Sequence, residues 1–465
     1  MPTSQAPCAL VKNVHIVTLG CAKNEVDSDR MRALIEASPA FNIVDDAQEA
    51  DAIIVNTCSF LVAAVQEGID LTLEMVGLKL DDGADVPVIM SGCIPSRYGE
   101  QLVKEMPEVT AFVPVDQEDS IVDVLARVTG ITSLDAFGAP SPSVLRTVRS
   151  AAAYVKISDG CDRFCSFCAI PFIRGRYYSR PADVILDEVR SLVAGGVREI
   201  VLIGQDTGIW GSDLEQGVDL AWLLCQVAAV VEPVHGWVRV LYLQPEGMTD
   251  DLIATIRDVD QVVPYIDLPL QHCDADVLRR MNRTGDSAQF AQLIDRLRRE
   301  IPGMTIRTTA MAGFPGETDD EFEELCSFLE RVGFDYTSVF SYSQEEGTAA
   351  GEMPDQVDED LKLERTQRLH DIADAYGFAS AARRVGKTYR VLIDGSESDD
   401  EGNRELIGRA AFQAPDSDGV IHLGQVEGTV GEFVDVRIDE AVCYELFGTI
   451  VSREPFTGNL EEADA

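Results

Sequence analysis

The stretch Gly160 to Cys168 reads GCDRFCSFC and places Cys161, Cys165 and Cys168 on one short loop, directly after the strand-like run YVKIS at 154–158. Thiolates are soft ligands, and three on one compact loop can each take one iron of a 4Fe–4S cluster. A structural zinc site normally closes with four ligands, and a fourth cysteine would likewise close a cluster. Three leave one iron open to another molecule. The loop therefore predicts a centre that binds and reacts.

Five more strand-like runs follow: EIVLIGQD, WVRVLYLQ, YIDLPLQH, TIRTTAMAGF and YTSVFSYS. Amphipathic helical segments such as PADVILDEVRSLVAGG and QFAQLIDRLRREI separate them, and DEDLKLERTQRLHDIADAYGFASAARR ends the series. Alternating strands and helices predict parallel strands, here a partial (βα)6 barrel whose sites collect at the carboxyl ends of the strands. Upstream, HIVTLGC, AIIVNTC and PVIMSGC each end an apolar run in a turn and a cysteine, at Cys21, Cys58 and Cys93. Helix-like segments lie between them, so the three cysteines are expected on one edge of a parallel sheet. A Pro-, Ser- and Gly-containing stretch at 132–148 reads as a linker. After Gly386 five short runs with turn-rich connections predict a small antiparallel β-barrel. The chain is thus expected to be a multidomain α/β protein with domains at 1–135, 145–382 and 383–455.

Its 465 residues call for several cores. Hydrophobic residues make up 46% and charged residues 25%, which excludes a disordered chain. No apolar run reaches the length of a membrane-spanning helix, and no secretory leader is visible in MPTSQAPCALVKN, so a cytoplasmic protein is expected. Eleven cysteines, an odd number, fit metal binding better than a disulfide framework. The charge of −42, from 38 basic and 80 acidic side chains, argues against attraction to a phosphate backbone.

The amino and carboxylate groups of S-adenosylmethionine (SAM) suit an open iron, and the fragments GCDRFCSFCAIPFIRGRYYSRP, DLPLQH and GFPGET resemble the radical SAM superfamily. With TLGCAKNEVDSD, NTCSF and SGC the resemblance narrows to the methylthiotransferases and spans about residues 12 to 455. It implies two 4Fe–4S clusters, one on Cys21, Cys58 and Cys93 and one on Cys161, Cys165 and Cys168. It also implies that SAM serves both as radical source and as methyl donor. GFPGET, through Gly313, Gly316 and Glu317, looks like the family's adenosine-contact segment. Gln205 and Asp206 in IGQDTG, and Gln271 and His272 in PLQH, sit at predicted strand ends and are candidates for SAM or substrate. Arg174 and Arg180 are candidate carboxylate partners, and Asn24 and Asn56 are candidate donors to the first cluster. No single side chain is assigned as catalytic. Cys8, Cys225, Cys273, Cys326 and Cys443 lack clustered spacing and read as small apolar fillers.

In the family the C-terminal barrel, a TRAM domain, grips the substrate. From Gly386 to Ala465 six Lys and Arg face eighteen Asp and Glu, a net charge of −12. An RNA-gripping barrel should be basic. The wording of TLGCAKNEVDSD, IGQDTGIWG, DLPLQHCDADVLRRMNR and FSYSQEEGT is similar to the branch that methylthiolates the β-carbon of an aspartate on small-subunit ribosomal protein twelve, free or in the assembling subunit. The alternatives are a tRNA adenosine methylthiotransferase, which needs a local basic strip on the barrel, and a non-catalytic cluster carrier or RNA-binding accessory protein, which would not cleave SAM.

Overall fold

The computed structural model describes residues 11–80, 83–131, 145–146, 148, 150–398 and 404–453. Cys8 and most of the linker read at 132–148 lie outside them. The chain falls into two compact units, Met1–Thr147 with Ala169–Arg176, and Val148–Cys168 with Tyr177–Ala465.

The first unit is a five-stranded parallel sheet of β1 (Lys12–Thr18), β2 (Phe41–Ile43), β3 (Ala52–Thr57), β4 (Val88–Gly92) and β5 (Ala111–Pro114), in the order β2-β1-β3-β4-β5. Helices Ala22–Glu36, Val62–Val76, Cys93–Glu105 and Ile121–Thr129 cross over between strands. Every residue of the central β3 is buried, as expected of a parallel strand covered on both faces. Its neighbours are in register through Ile16↔Ile54 and Ile54↔Ile89. The edge strands β2 and β5 are only three and four residues long, too short for a periodic signal, and were not among the strands read from the sequence. The helix Ala22–Glu36 buries Lys23, Asn24, Asp27 and Ser28 alongside Met31, Leu34 and Ile35. Polar residues in buried positions mark where a site, not a core, is being built.

The second unit holds six parallel strands in two sheets. One contains β6 (Ala152–Lys156), β9 (Glu199–Ile203) and β10 (Trp237–Val240); the other contains β11 (Tyr265–Gln271), β12 (Thr305–Ala312) and β13 (Tyr336–Ser341). A two-residue antiparallel pair, β7 (Ser158–Asp159) with β8 (Tyr178–Ser179), lies just past β6. A bridge from Val238 to Val262 sits between the halves. This is the expected partial barrel. Its helices start on side-chain caps: Asp219, Thr249, Asp274, Asp286, Thr318 and Asp358 each accept from a backbone N–H of the first turn. Part of the chain's acidity therefore answers helix N-termini.

The C-terminal segment forms a closed barrel of β14 (Thr388–Ser398), β15 (Arg404–Ala410), β16 (Ile421–Gly424), β17 (Phe433–Val442) and β18 (Glu445–Arg453). Four of its pairings are antiparallel, and β16 with β18 is parallel. Up and down cannot alternate all the way round an odd number of strands, so one parallel pair closes the ring.

This barrel is bolted to the amino-terminal halves of the central strands. Glu199, at the first position of β9, is fully buried between Arg239 and Arg409, at 2.7 Å from each guanidinium. Burial alone would raise its carboxyl, but the two cations hold it below the usual carboxylate range. Arg239 also donates to the Ala411 carbonyl (2.9 Å), and the Tyr265 hydroxyl donates to Asp418 (2.6 Å). Arg307 of β12 pairs with Asp418 as well. The acidic barrel is thus held at the opposite strand end from Cys161, Cys165 and Cys168. Glu199→Ala would leave two guanidiniums buried without their shared anion, and we expect a loss of about 3–5 kcal/mol in denaturant unfolding. Because the carboxyl is depressed, this contribution should be complete above the ordinary carboxylate range and be lost as pH falls through the depressed value. Unchanged stability in the variant would mean the seam is not coupled as described.

Candidate active site

In the first unit the three cysteines stand at the carboxyl ends of β1, β3 and β4. Cys21 is the N-cap of the helix Ala22–Glu36, and Cys93 is the first residue of the helix Cys93–Glu105, so both stand at a helix N-terminus. Cys58 follows β3. Cys93 is 4% and Cys58 9% exposed, while Cys21 is exposed. The thiols are close enough to influence one another electrostatically. Two glycines allow the convergence. A Cβ on Gly20 (φ +100°) would stand 2.6 Å from the Cys58 Cβ, and one on Gly92 (φ +90°) would stand 2.2 Å from the Asn56 Oδ1.

Asn24 and Asn56 hold the loops together. The Asn24 amide donates to the Leu19 and Thr57 carbonyls, both at 2.9 Å, and the Asn56 amide donates to the Asn24 carbonyl and the Ser28 hydroxyl, also at 2.9 Å. Their amide donors are directed at protein, not at the sulfurs, so they are brackets and not the cluster donors expected from sequence. Arg174 enters the same pocket. Its side chain is 2% exposed, and its Nη2 lies 2.9 Å from the Asp27 Oδ2, 2.9 Å from the Asn24 Oδ1 and 3.8 Å from the Cys93 Sγ. Burial pushes the Cys93 thiol up to about 12, against the pull of Arg174. Burial likewise raises Cys58.

In the second unit Cys161, Cys165 and Cys168 are half-buried on the loop after β7. The loop is pinned from below. Ser166 donates to the Met281 carbonyl (3.0 Å) through its N–H and to the Arg280 carbonyl (2.9 Å) through its hydroxyl. Asn282 donates to the carbonyls of Arg163 and Phe164, both at 3.0 Å. Phe164, Tyr242, Gln271 and Asn282 all have left-handed backbones without being glycine. Strain of this kind collects at functional sites and needs a surrounding structure that over-determines it. A cavity of about 250 Å³ beside Cys165 is lined by Arg163, Glu246, Asn282, Arg283 and Thr284. Arg163 pairs with Asp206 (2.5 Å) and Glu246 (3.1 Å), and Arg283 reaches the Gln244 Oε1 (2.5 Å) and the Cys165 Sγ (3.7 Å). Sequence reading passed over Arg163, Glu246, Asn282 and Arg283; the MNR of DLPLQHCDADVLRRMNR was the only signal for two of them.

Among the described residues, no three His, Cys, Asp or Glu side chains converge as a centre for one metal ion. An iron–sulfur cluster asks for a different arrangement, in which each cysteine takes its own iron. The surroundings also fit a polar ligand at the second triad. The Gln205 Oε1 and the Asp206 Oδ1, just past β9, are buried without a hydrogen-bond partner, although the Gln205 amide is held by Asp159 (3.0 Å). At the GFPGET turn, the Glu317 carboxylate accepts from the Gly313 N–H (2.9 Å) and Arg365 (2.7 Å) and stands 3.4 Å from the His272 Nε2. The Gly316 N–H donates to the Asp355 carbonyl (2.8 Å). The Glu317 Oε2 therefore braces the turn, while the Glu317 Oε1 and the His272 Nε2 are buried without a hydrogen-bond partner. Arg180 pairs with Glu188 (2.8 Å), a structural role. Cys273 and Cys326 are buried, while Cys225 and Cys443 are exposed and fill no core.

Three family models match: the radical SAM superfamily over residues 155–329, a family described as uncharacterized protein family UPF0004 over 13–114, and the TRAM domain over 385–451. The ribosomal protein uS12 methylthiotransferase RimO of Geotalea uraniireducens is 42% identical over 450 residues, covering 95% of this chain and 99% of that protein. The protein of the same name from Geobacter sulfurreducens is 41% identical, again covering 95% and 99%. Among solved structures, the radical SAM methyltransferase TsrM of Kitasatospora setae superposes with a TM-score of 0.52 at 14% identity over 71% of this chain and 75% of that one. The cobalamin-dependent radical SAM enzyme OxsB gives 0.50 at 13% identity, over 78% and 56%. These two likenesses concern the fold.

The exposure of the cysteines sets an order of reactivity. In iron-free protein at neutral pH, iodoacetamide followed by peptide mass mapping should label Cys21 well before Cys93, whose thiol is buried and held protonated. Equal rates at the two positions would contradict the described pocket.

Proposed function

The chain belongs to the RimO family of ribosomal protein uS12 methylthiotransferases, within the radical SAM superfamily, and from that premise we propose that it adds a methylthio group to the β-carbon of an aspartate in uS12. The observation that carries this reading is the pairing of two three-cysteine sites, each at carboxyl ends of parallel strands, in one chain whose C-terminal barrel is acidic. A closed four-ligand site would serve electron transfer or structure; a three-thiolate site leaves an iron for chemistry. Cys161, Cys165 and Cys168 would hold the cluster that, when bound, would supply the electron that splits SAM, and the first unit, with a cluster held by Cys21, Cys58 and Cys93, would supply the sulfur.

The chain's own residues hold and shield. Gln205 and Asp206 offer buried oxygens to the ammonium or hydroxyl groups of SAM. The Gly313 turn, stiffened by Glu317 and Arg365, offers backbone to the adenosine. The cavity beside Cys165 carries both signs of charge, Arg163 paired with Asp206 and Glu246 and Arg283 bonded to Gln244, and it offers polar contacts to a zwitterionic ligand. Gln271, with its left-handed backbone, ends β11 at the same mouth. None of these groups needs to exchange a proton with the substrate, which is why no side chain stands out as a general acid or base.

The C-terminal barrel lies at the amino ends of the strands, so it does not line the radical site. A strand of five to eight residues separates the two ends by roughly 17–26 Å. We infer that the barrel captures a folded basic partner at a distance while a loop of that partner reaches the mouth. Its site of action is the cytoplasm, on free uS12 or the assembling subunit.

Anaerobic turnover with SAM and dithionite tests the reading. The whole uS12 protein should gain a methylthio group by mass, and a prenylated-adenosine tRNA stem-loop should gain none. Gain on the RNA alone would overturn the substrate assignment. Cys58→Ser should still form 5′-deoxyadenosine while losing methylthiolation; loss of both products would contradict the division of labour between the triads. Reversing acidic residues on the exposed face of the barrel, Asp435→Lys and Asp439→Lys, should raise KM for uS12 several-fold, more at low salt than at high, and leave kcat within about twofold. A fall in kcat with KM unchanged would place the barrel in the chemistry instead.

A further inference from the structure

Asp27 and Arg174 are 147 residues apart in sequence and form a buried ion pair, with side chains 6% and 2% exposed. The pair does not sit in an apolar core. Asn24 receives a second 2.9 Å bond from the same nitrogen, and the Cys93 sulfur is 3.8 Å away. Arg174 follows Cys168 by six residues in sequence. The segment Ala169–Arg176 is nevertheless part of the first unit, where Ala169 and Ile173 pack against Cys93 and Val115. Arg174 thus belongs, with Asp27 and Cys93, to the first unit and places a cation beside its cysteines.

Burying a guanidinium beside a sulfur costs desolvation energy, which a structural role could have avoided with an apolar side chain. A cluster on three thiolates carries net negative charge and gains another on reduction. Its potential responds to charge, burial and hydrogen bonds to the sulfurs. We infer that Arg174 is a positioning residue of the first cluster: its guanidinium, aimed by Asp27 and Asn24, hydrogen-bonds the Cys93 sulfur and raises the cluster's reduction potential. Asp27 limits that effect by partly compensating the charge. The inference rests on the assignment of Cys21, Cys58 and Cys93 to this cluster.

The test uses the full chain with Cys161, Cys165 and Cys168 all replaced by Ala, so that only the first site loads, and reads iron per chain and the midpoint potential by EPR-monitored titration. Arg174→Gln should lower the ratio of reduced to oxidised cluster at the parent's midpoint potential about tenfold, a shift of about 59 mV for one electron. Arg174→Lys keeps the charge without the fork and should fall between the two. Asp27→Asn should shift the potential the other way, and it decides the matter if Arg174→Gln fails to load iron. Iron at parental level in the variants with an unmoved potential would overturn the role of Arg174 alone. No iron in the parent would sink the ligand assignment and this inference with it.

Discussion

A thiolate holds iron only where water is thinned and its negative charge is answered, and the parallel strand with its following helix meets both conditions at one place. The strand buries the approach, as in the fully buried β3. The helix begins just beyond it with unpaired N–H groups and a positive dipole end. Cys21 and Cys93 occupy that junction directly. In the second unit only the strand-end placement recurs, with Cys161 on the loop after β6 and β7 and the orphaned oxygens of Gln205 and Asp206 just past β9. Much of the remaining structure reads as support for these strand ends: the glycines that admit the cysteines, the asparagine brackets, and the left-handed residues around the second mouth.

The two ends of the central strands divide the work. The carboxyl ends carry strained backbone, half-buried cysteines and a charged cavity. Toward the amino ends the fully buried Glu199 pairs with Arg239 and with Arg409 of the C-terminal barrel, and this holds that barrel in place. Rigidity at one end leaves the other free to accept a ligand, since a barrel anchored this way needs little help from its mouth for stability. The acidic surface is then a fixed feature on the far side from the chemistry.

Much of this was legible in the sequence. The C-x-x-x-C-x-x-C loop and the recurrence of a strand, a turn and a cysteine in the first unit gave the placement of Cys161, Cys165 and Cys168 on one loop and of Cys21, Cys58 and Cys93 at strand ends, because cysteine spacing and strand periodicity are local signals. The six central strands showed as apolar runs. The edge strands β2 and β5 did not, being shorter than any period. Long-range pairs were also hidden. Nothing in the sequence joins Arg174 to Asp27, or Glu199 to Arg409, because ion pairing across a fold has no periodicity. Arg174 was marked as a carboxylate partner but not placed beside Cys93. Glu317, a candidate cofactor contact by its motif, uses one carboxylate oxygen on Gly313 and Arg365, and its Oε1 is buried without a hydrogen-bond partner. A motif identifies a loop without saying which of its atoms point outward.

The central claim is that one chain carries two separate open-iron centres with different tasks. EPR of the reduced, reconstituted protein with and without SAM, in variants lacking one triad or the other, tests it most directly. The account expects each triad variant to retain half of the parent's iron. SAM should alter the spectrum of the protein keeping Cys161, Cys165 and Cys168 and leave unchanged that of the protein keeping Cys21, Cys58 and Cys93. SAM perturbing the second species, or loss of all iron on removing either triad alone, would contradict it.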